Sequence, residues 1–125
     1  HRITQVEGSS KAFKGCMVVY SNEAKVDQLK IDQDLLIKFG AVSKEVALEM
    51  AKNVRDIFSS DIGVSVTGIA GPDGGTSDKP VGLVFVGYSD SKAVNTYQFN
   101  FHSNRHTNKI RTSQSVFNQI LKNIN

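Results

Sequence analysis

The sequence has no tryptophan and a single cysteine, Cys16, among its 125 residues. One cysteine cannot form an internal disulfide, and no secretory pattern opens the chain, so nothing favours export. No apolar run is long enough to cross a bilayer. The composition, with 39% apolar and 22% charged residues, is ordinary for a globular protein. We therefore expect a soluble, cytoplasmic protein with no membrane partner.

A starting methionine is also lacking. The chain opens with His1 and soon reaches a Gly-Ser-Ser turn at residues 8–10, as if leaving an element that had already begun. A length of 125 residues suits one domain with a core of its own. We expect a single domain over residues 1–125 that is incomplete at its N-terminus.

Acidic residues are missing after Asp90, and the basic residues that follow are Lys92, Arg105, Lys109, Arg111 and Lys122. A cationic surface of this kind attracts phosphate-bearing partners, and an arginine near a helix start is able to hold a phosphate with two N–H groups. An ordinary solvated, cationic helix start explains the same charges and is slightly favoured by the sequence alone. A nucleic-acid partner is the least favoured, because the few aromatic residues are expected in the core and do not form a stacking platform.

Several familiar catalytic motifs are absent. The chain contains no phosphate-binding G-x-x-x-x-G-K-[ST] string, no G-x-G-x-x-G fingerprint and no G-x-S-x-G elbow. The histidines at positions 1, 102 and 106 have no carboxylate or thiol at ligand spacing, and Cys16 lies in an apolar run, so no metal site is predicted. Ser21 and Ser43 are the local serines, but neither is predicted as a nucleophile, and Ser43 suits a helix N-cap.

Hydrophobic patterning predicts helices alternating with strands. Apolar residues on both faces of residues 12–21 predict a strand covered on both sides. Helices are expected over residues 22–29, 32–39 with Gly40 as a left-handed cap, 43–58 and 107–122, and strands over residues 62–67, 81–89 and 94–101. The last two strands are expected to form an antiparallel hairpin. The fold class predicted is α/β, a three-layer α/β/α sandwich with a mixed, mostly parallel sheet.

A glycine-rich loop follows the strand predicted at residues 62–67. Glycines stand at positions 68, 71, 74, 75 and 82, and both prolines, Pro72 and Pro80, lie in the same stretch. Glycine leaves backbone N–H groups open to a phosphate, carboxylate or amide oxygen, and α/β folds place ligands at strand ends. A binding loop and a long connection with tight turns fit this composition equally well.

Tyr20 and Lys25 stand where the first predicted strand passes into a helix, so their side chains are expected to meet at the rim of the sheet. A partly desolvated lysine has a lowered pKa, which lets its neutral amine act as a base for a hydroxyl nucleophile. Most lysines in such places are solvated, however, and most such tyrosines pack with an exposed hydroxyl. Without other information, a structural role for Tyr20 and Lys25 is favoured over a catalytic one.

Five strings stand in a fixed order along the chain: VEGSS, F-K-G-x-x-V-V-Y-S-N-E-A-K at residues 13–25, F-G-A-V-S at residues 39–43, V-T-G-I-A-G-P-D-G-G-T at residues 66–76 and K-P-V-G-L-V at residues 79–84. Together they resemble the CinA C-terminal family, the nicotinamide-nucleotide amidohydrolases, over nearly the whole chain. Two of the strings, V-T-G-I-A-G-P and Y-S-N-E-A-K, are unusual enough to make a chance agreement improbable.

This resemblance implies deamidation of nicotinamide mononucleotide to nicotinic acid mononucleotide and ammonia, without a cofactor, by a homodimer that recycles the pyridine ring. A serine would attack the carboxamide carbon, a lysine would serve as its base, a tyrosine would support the pair, and backbone donors would hold the oxyanion. By motif position the resemblance implies Lys25 as the base and Tyr20 as its partner. The substrate-binding residues it implies are Asn22, Thr67, Gly68, Ala70, Gly71, Gly74, Gly75, Arg105 and, less directly, Arg111.

The sequence departs from the family pattern at the nucleophile. The family serine sits in an S-C-T-G-G string at the start of a long helix, and no such string occurs here. Either that segment precedes this chain, with residues 1–4 as the end of its helix, or the chain as it stands cannot be acylated. The alternative function is therefore a nucleotide-binding module without catalysis. Cys16 replaces a usual glycine and is expected to alter packing only.

Overall fold

The computed structural model describes all residues from 1 to 125. Its helices are α1 (Asn22–Leu29), α2 (Gln33–Phe39), α3 (Lys44–Ile57) and α4 (Arg105–Ile124), and its strands are β1 (Gly63–Gly68), β2 (Leu83–Ser89) and β3 (Val94–Asn100). A short 3-10 helix, Ser9–Lys11, precedes them. The four predicted helices and the last three predicted strands are confirmed, with small shifts at their ends. None of the helices is both long and apolar enough to cross a membrane.

The three strands form one sheet in the order β1-β2-β3, and both pairings are antiparallel. The prediction of a mixed, mostly parallel sheet is wrong. Consecutive strands are joined by residues 69–82 and by residues 90–93, and neither connection contains a helix. A parallel pair needs a crossover of about a dozen residues or more, which residues 90–93 are too few to provide. Residues 69–82 return to the same end of the sheet, because the N–H of Ile69 donates to the carbonyl of Leu83 at 2.9 Å and closes the loop as a hairpin.

The first predicted strand, residues 12–21, is not a strand in the structure. Residues 12–20 have no regular secondary structure, and residues 14–20 take part in no backbone–backbone hydrogen bond. Met17 and Val19 pack against the core, whereas Val18 is 86% exposed and Tyr20 is 83% exposed. The prediction of a strand covered on both faces is therefore wrong: one face of this segment is open to solvent, and none of the three strands pairs with it.

Helix α3 packs against one face of the sheet, and the fit depends on small residues in the strands. A Cβ atom on Gly87 would lie 2.2 Å from the carbonyl oxygen of Ala47, so only glycine permits this approach. The hydroxyl of Ser65 donates to the same Ala47 carbonyl at 2.5 Å. The other side of α3 meets α1 and α2 in a cluster whose buried members are Leu29, Ile31, Leu36, Val46 and Met50. The core therefore lies between the helices and one face of the sheet.

Helix α4 lies on the opposite face of the sheet. Near its end, the side chain of Asn123 bonds to Tyr97 at 2.8 Å and accepts from Asn95 at 3.2 Å, both in β3. At the other end of the chain, Arg2 donates to Gln114 of α4 at 3.1 Å. Helices thus lie on both faces of an antiparallel sheet, which confirms the mixed α/β class, but the predicted three-layer sandwich with a mostly parallel sheet is not confirmed.

The helix starts follow the local sequence. The Oγ of Ser43 accepts from the N–H of Val46 at 3.3 Å, which confirms the predicted cap of α3. Gly40 ends α2 with φ of 75° and ψ of 160°, outside the left-handed helical region, so the predicted left-handed cap is wrong in that respect. With this ψ, Gly40 is extended and the chain continues through residues 41–43 to the start of α3.

Candidate active site

Lys25 is a buried lysine on the first turns of α1, with 6% of its surface exposed. The helix is started by Ser21, whose Oγ accepts from the N–H of Ala24 at 3.0 Å. The ammonium Nζ turns back toward the preceding segment and donates to the carbonyls of Val19 at 3.0 Å, Tyr20 at 3.3 Å and Ser21 at 3.4 Å. The amine is therefore held at the junction between the extended segment and α1.

Burial lowers the pKa of Lys25 below its ordinary value, and the nearby charge of Glu23 opposes this shift. Hydrogen bonds to its own backbone and to Ser21 lower the pKa of Glu23, so this carboxylate is ionised near neutral pH. The three carbonyl acceptors around Nζ also favour the charged form. Desolvation remains the largest influence on the pKa of Lys25. The neutral amine is therefore formed at a lower pH than in a solvated lysine.

Tyr20 and the glycine loop are linked by Arg105, the first residue of α4. The Nη1 of Arg105 donates to the carbonyl of Gly71 at 2.9 Å, and its Nη2 lies 3.5 Å from the Tyr20 hydroxyl in a long, exposed contact. Since the carbonyl of Tyr20 accepts from Lys25, one chain of contacts runs from the loop to the buried amine. Arg105 thus reaches Tyr20 across 85 positions of sequence. The predicted meeting of the Tyr20 and Lys25 side chains is not seen, because Lys25 bonds to the Tyr20 carbonyl and the Tyr20 side chain is 83% exposed.

The glycine loop is held from behind by α4 and folds tightly over itself. Gly71 is buried with φ of 91°, a value that L side chains rarely adopt. A Cβ on Gly75 would lie 2.7 Å from the backbone nitrogen of Val81, and Gly74 also has a positive φ of 90°. Backbone conformation and close approach thus require glycine at these positions. Binding by the loop stays a prediction.

Other predicted site residues do not converge on Lys25. The hydroxyl of Thr67 donates to the carbonyl of Ala41 at 2.7 Å, on the α3 side of the sheet. Asn22 is exposed and its side chain makes no hydrogen bond with the protein. Arg111 is exposed six residues after Arg105, about 120° away around the helix axis. The roles assigned to these side chains stay predictions.

A groove of about 460 Å³ lies between the outer face of β1 and α4. Gly68, Ala70 and Asn108 are among the residues that line it, whereas Tyr20, Lys25 and Arg105 are not. Asn108 was missed by the sequence analysis. It is 1% exposed, and its buried Oδ1 has no hydrogen-bond partner. The available signal was a polar residue on the face of α4 that also carries Val116, eight residues further on.

Comparison with known proteins gives one family. A family model described as the CinA C-terminal domain matches residues 1–124. A protein of Halothermothrix orenii described as competence-damage inducible is 51% identical over 117 residues, which is 93% of this chain. A CinA-like protein of Endomicrobium trichonymphae is 44% identical over 122 residues, 98% of this chain. The chain spans only 28% of the length of each of these relatives.

Solved structures match the same fold. The competence/damage inducible protein CihA from Agrobacterium tumefaciens is 33% identical, with a TM-score of 0.93 over 95% of this chain and 73% of its own. A competence or damage-inducible protein from Enterobacter asburiae is 26% identical, with a TM-score of 0.94 over 98% of this chain and 77% of its own. The fold described above is therefore also that of experimentally determined relatives.

Proposed function

Since the chain belongs to the CinA C-terminal domain family, we propose that it carries the base and the substrate loop of a nicotinamide-nucleotide amidohydrolase. In this reaction nicotinamide mononucleotide and water give nicotinic acid mononucleotide and ammonia. The names of the relatives state no reaction, so support comes from the resemblance of the motifs and from the site. The chain spans about a quarter of its curated relatives, and the proposal concerns the full-length protein.

The burial of Lys25 is the observation that carries the proposal. Removing an ammonium from water costs free energy, so a lysine with 6% exposure is unusual away from a carboxylate partner. No carboxylate bonds to Lys25, and its Nζ is held by carbonyl oxygens alone. Perturbed lysines next to a ligand-binding loop are typical of catalytic bases. Contacts through Tyr20 and Arg105 connect this lysine to the glycine loop at Gly71, which is the loop proposed to bind the substrate.

The proposed steps use Lys25 twice. The neutral amine accepts the proton of a serine hydroxyl while the serine oxygen bonds to the carboxamide carbon, and the carbonyl oxygen becomes negatively charged. The C–N bond then breaks as the ammonium of Lys25 returns the proton to the leaving nitrogen, which departs as ammonia. Water repeats the two steps on the acyl-serine, giving free serine and the carboxylic acid, which then loses its proton to solvent. The family carries that serine in S-C-T-G-G, a string that is not among residues 1–125.

Arg105 supports recognition of the nucleotide phosphate. It is exposed at the start of α4, beside the glycine loop, and only two of its nitrogen atoms contact the protein. A guanidinium group has five N–H donors, so donors remain free for phosphate oxygens. The excess of basic residues after Asp90 adds a favourable field for an anionic substrate.

The test is ammonia release from nicotinamide mononucleotide by the full-length protein. Lys25→Met keeps the length and apolar stem of the side chain, and we expect it to lower kcat/KM by at least about 100-fold. Lys52→Met is the matched control, because Lys52 is exposed on α3 and is expected to be dispensable. Full activity in folded Lys25→Met would exclude Lys25 as the base. No ammonia from the folded wild type would exclude the reaction.

The pH dependence gives a second test of the same proposal. Only the neutral amine accepts a proton, so kcat/KM should rise with pH as Lys25 is deprotonated. Because burial lowers the pKa of Lys25, that rise should be centred below the ordinary lysine value of about 10.4. A rise centred at or above that value would contradict a desolvated base.

The second candidate function is nucleotide binding without catalysis. One observation favours it: three carbonyl oxygens surround Nζ, one for each N–H of a charged ammonium. A permanently protonated Lys25 would be a structural cation. Calorimetric binding of nicotinamide mononucleotide by full-length protein, with no ammonia release and with unchanged affinity in Lys25→Met, would support this candidate.

A further inference from the structure

We propose that Asn108 is the positioning residue of the glycine loop, which holds the Ala70–Gly71 peptide so that the N–H of Gly71 is presented to the carbonyl oxygen of the substrate. The inference rests on the amidohydrolase reaction proposed above and deepens it, because it names the backbone donor for the oxyanion and the side chain that aims it.

The side-chain NH2 group of Asn108 bonds both to the glycine loop and to the segment just before α4. Its Nδ2 donates to the carbonyl of Ala70 at 3.1 Å and to that of Ser103 at 2.9 Å, so both amide hydrogens are used. A nitrogen between two carbonyl oxygens fixes the orientation of the amide, since the reverse orientation would face oxygen with oxygen. The residue therefore acts as a donor clamp between the loop and the helix.

The clamp determines the direction of the next N–H group. The Ala70–Gly71 peptide is trans, because the Gly71–Pro72 bond is the only cis peptide. In a trans peptide the C=O and N–H groups point in opposite directions. As Asn108 draws the carbonyl of Ala70 toward α4, the N–H of Gly71 points away from α4.

That N–H has no acceptor within the protein. Gly71 is buried, yet its nitrogen donates to no backbone or side-chain atom. Its own carbonyl is held by Arg105 at 2.9 Å. Two consecutive carbonyls are thus fixed by α4 while the donor between them stays unused. A fixed, unused backbone donor is what stabilisation of an oxyanion requires, because it needs no reorganisation when charge develops.

The unpaired Oδ1 of Asn108 makes a purely structural role less favourable. A buried acceptor without a donor destabilises the folded state, and this oxygen has no partner. An apolar side chain of similar size would avoid that penalty in the half-apolar wall of the groove. What asparagine adds at this position is the pair of donors that hold the two carbonyls.

The experiment compares three variants of the full-length protein in the ammonia-release assay. Asn108→Asp keeps the shape and loses the donors when ionised, and Asn108→Leu loses them without burying a charge. We expect either folded variant to lower kcat by about 100-fold, the effect of losing one oxyanion donor, while KM changes by less than about 3-fold because the contacts of Arg105 remain. Asn118→Asp, an exposed asparagine on the same helix, is the matched control and should keep wild-type kcat.

The amide proton resonance of Gly71 gives a readout that does not need turnover. If Asn108 aims this group, Asn108→Leu should shift its resonance in the free protein, whereas Asn118→Asp should not. A folded Asn108→Leu variant with kcat within about 3-fold of wild type would overturn the inference and leave the amidohydrolase proposal standing. If the wild type releases no ammonia, the proposed reaction fails, and an unchanged Gly71 resonance in Asn108→Leu would overturn the positioning role as well.

Discussion

Tyr88 gives a stability prediction whose size follows from the structure. It is fully buried in β2, and its hydroxyl donates to Oδ2 of Asp90 at 2.8 Å. Burial, then the hydrogen bond and charge of Asp90, raises the pKa of Tyr88 to about 12. The neutral phenol is therefore favoured by the folded state. Near neutral pH, Tyr88→Phe should cost about 1.5–3 kcal/mol, the value of a hydrogen bond to a charged group.

The pH dependence separates this interaction from simple packing. A group whose pKa is raised on folding contributes its full stability below the unfolded pKa, which is about 10 for tyrosine, and loses it as the pH approaches the folded value. One pH unit above the unfolded pKa corresponds to at most about 1.4 kcal/mol. Because Asp90 is half exposed, solvent screening reduces the contribution of its charge, and we expect a loss of about 0.7–1 kcal/mol.

The assay is urea unfolding of the wild type and Tyr88→Phe at about pH 8 and about pH 11, followed by far-UV circular dichroism. The difference in free energy of unfolding between the wild type and Tyr88→Phe should be smaller at about pH 11 than at about pH 8, by the loss stated in the previous paragraph. Asp90→Asn retains an acceptor for the hydroxyl but removes the charge, and since burial is the largest cause, most of the alkaline loss should persist. A difference between wild type and Tyr88→Phe that stays constant with pH would refute the reasoning.

Two further predictions concern the packing and start of α3. Gly87→Ala should cost about 3 kcal/mol or more in urea unfolding, because its Cβ would lie 2.2 Å from a main-chain oxygen of α3. Gly8→Ala, with φ of 81° and no neighbour within 4 Å, is the control and should cost only about 1–2 kcal/mol for the left-handed conformation; equal losses would contradict the steric explanation. Ser43→Ala should cost about 1 kcal/mol by removing the cap of α3, and an unchanged thermal midpoint would show that the cap adds nothing.

The helices and the hairpin were accessible to the sequence because the signals for them are local. Ser43 caps α3 through a hydrogen bond to a residue three positions away, and periodic apolar residues mark the buried side of that helix. The hairpin between β2 and β3 follows from a short turn with an aspartate, and the Oδ1 of Asp90 accepts from the N–H groups of Lys92 and Ala93, both at 2.7 Å. Each of these signals lies within a few residues of the structure that it produces.

Local signals do not reveal the relative direction of the strands or the conformation of residues 12–20. Apolar residues on both faces of a run predict burial, but pairing depends on which strands are neighbours in space. The sequence therefore indicated a strand where the structure has an unpaired, half-exposed segment. Patterning typical of buried strands predicts a mostly parallel sheet, whereas the hairpin connections between consecutive strands decide the pairing.

Motifs and periodicity are carried by neighbouring residues, so the family, the positions of the helices and three strands, and the lysine on which the proposed chemistry depends can be predicted from the chain. Folding is what buries Lys25 with three carbonyls around its amine and brings Asn108 to the glycine loop 38 positions away. Burial and long-range hydrogen bonds depend on how distant segments pack, and no local pattern in the chain records that packing.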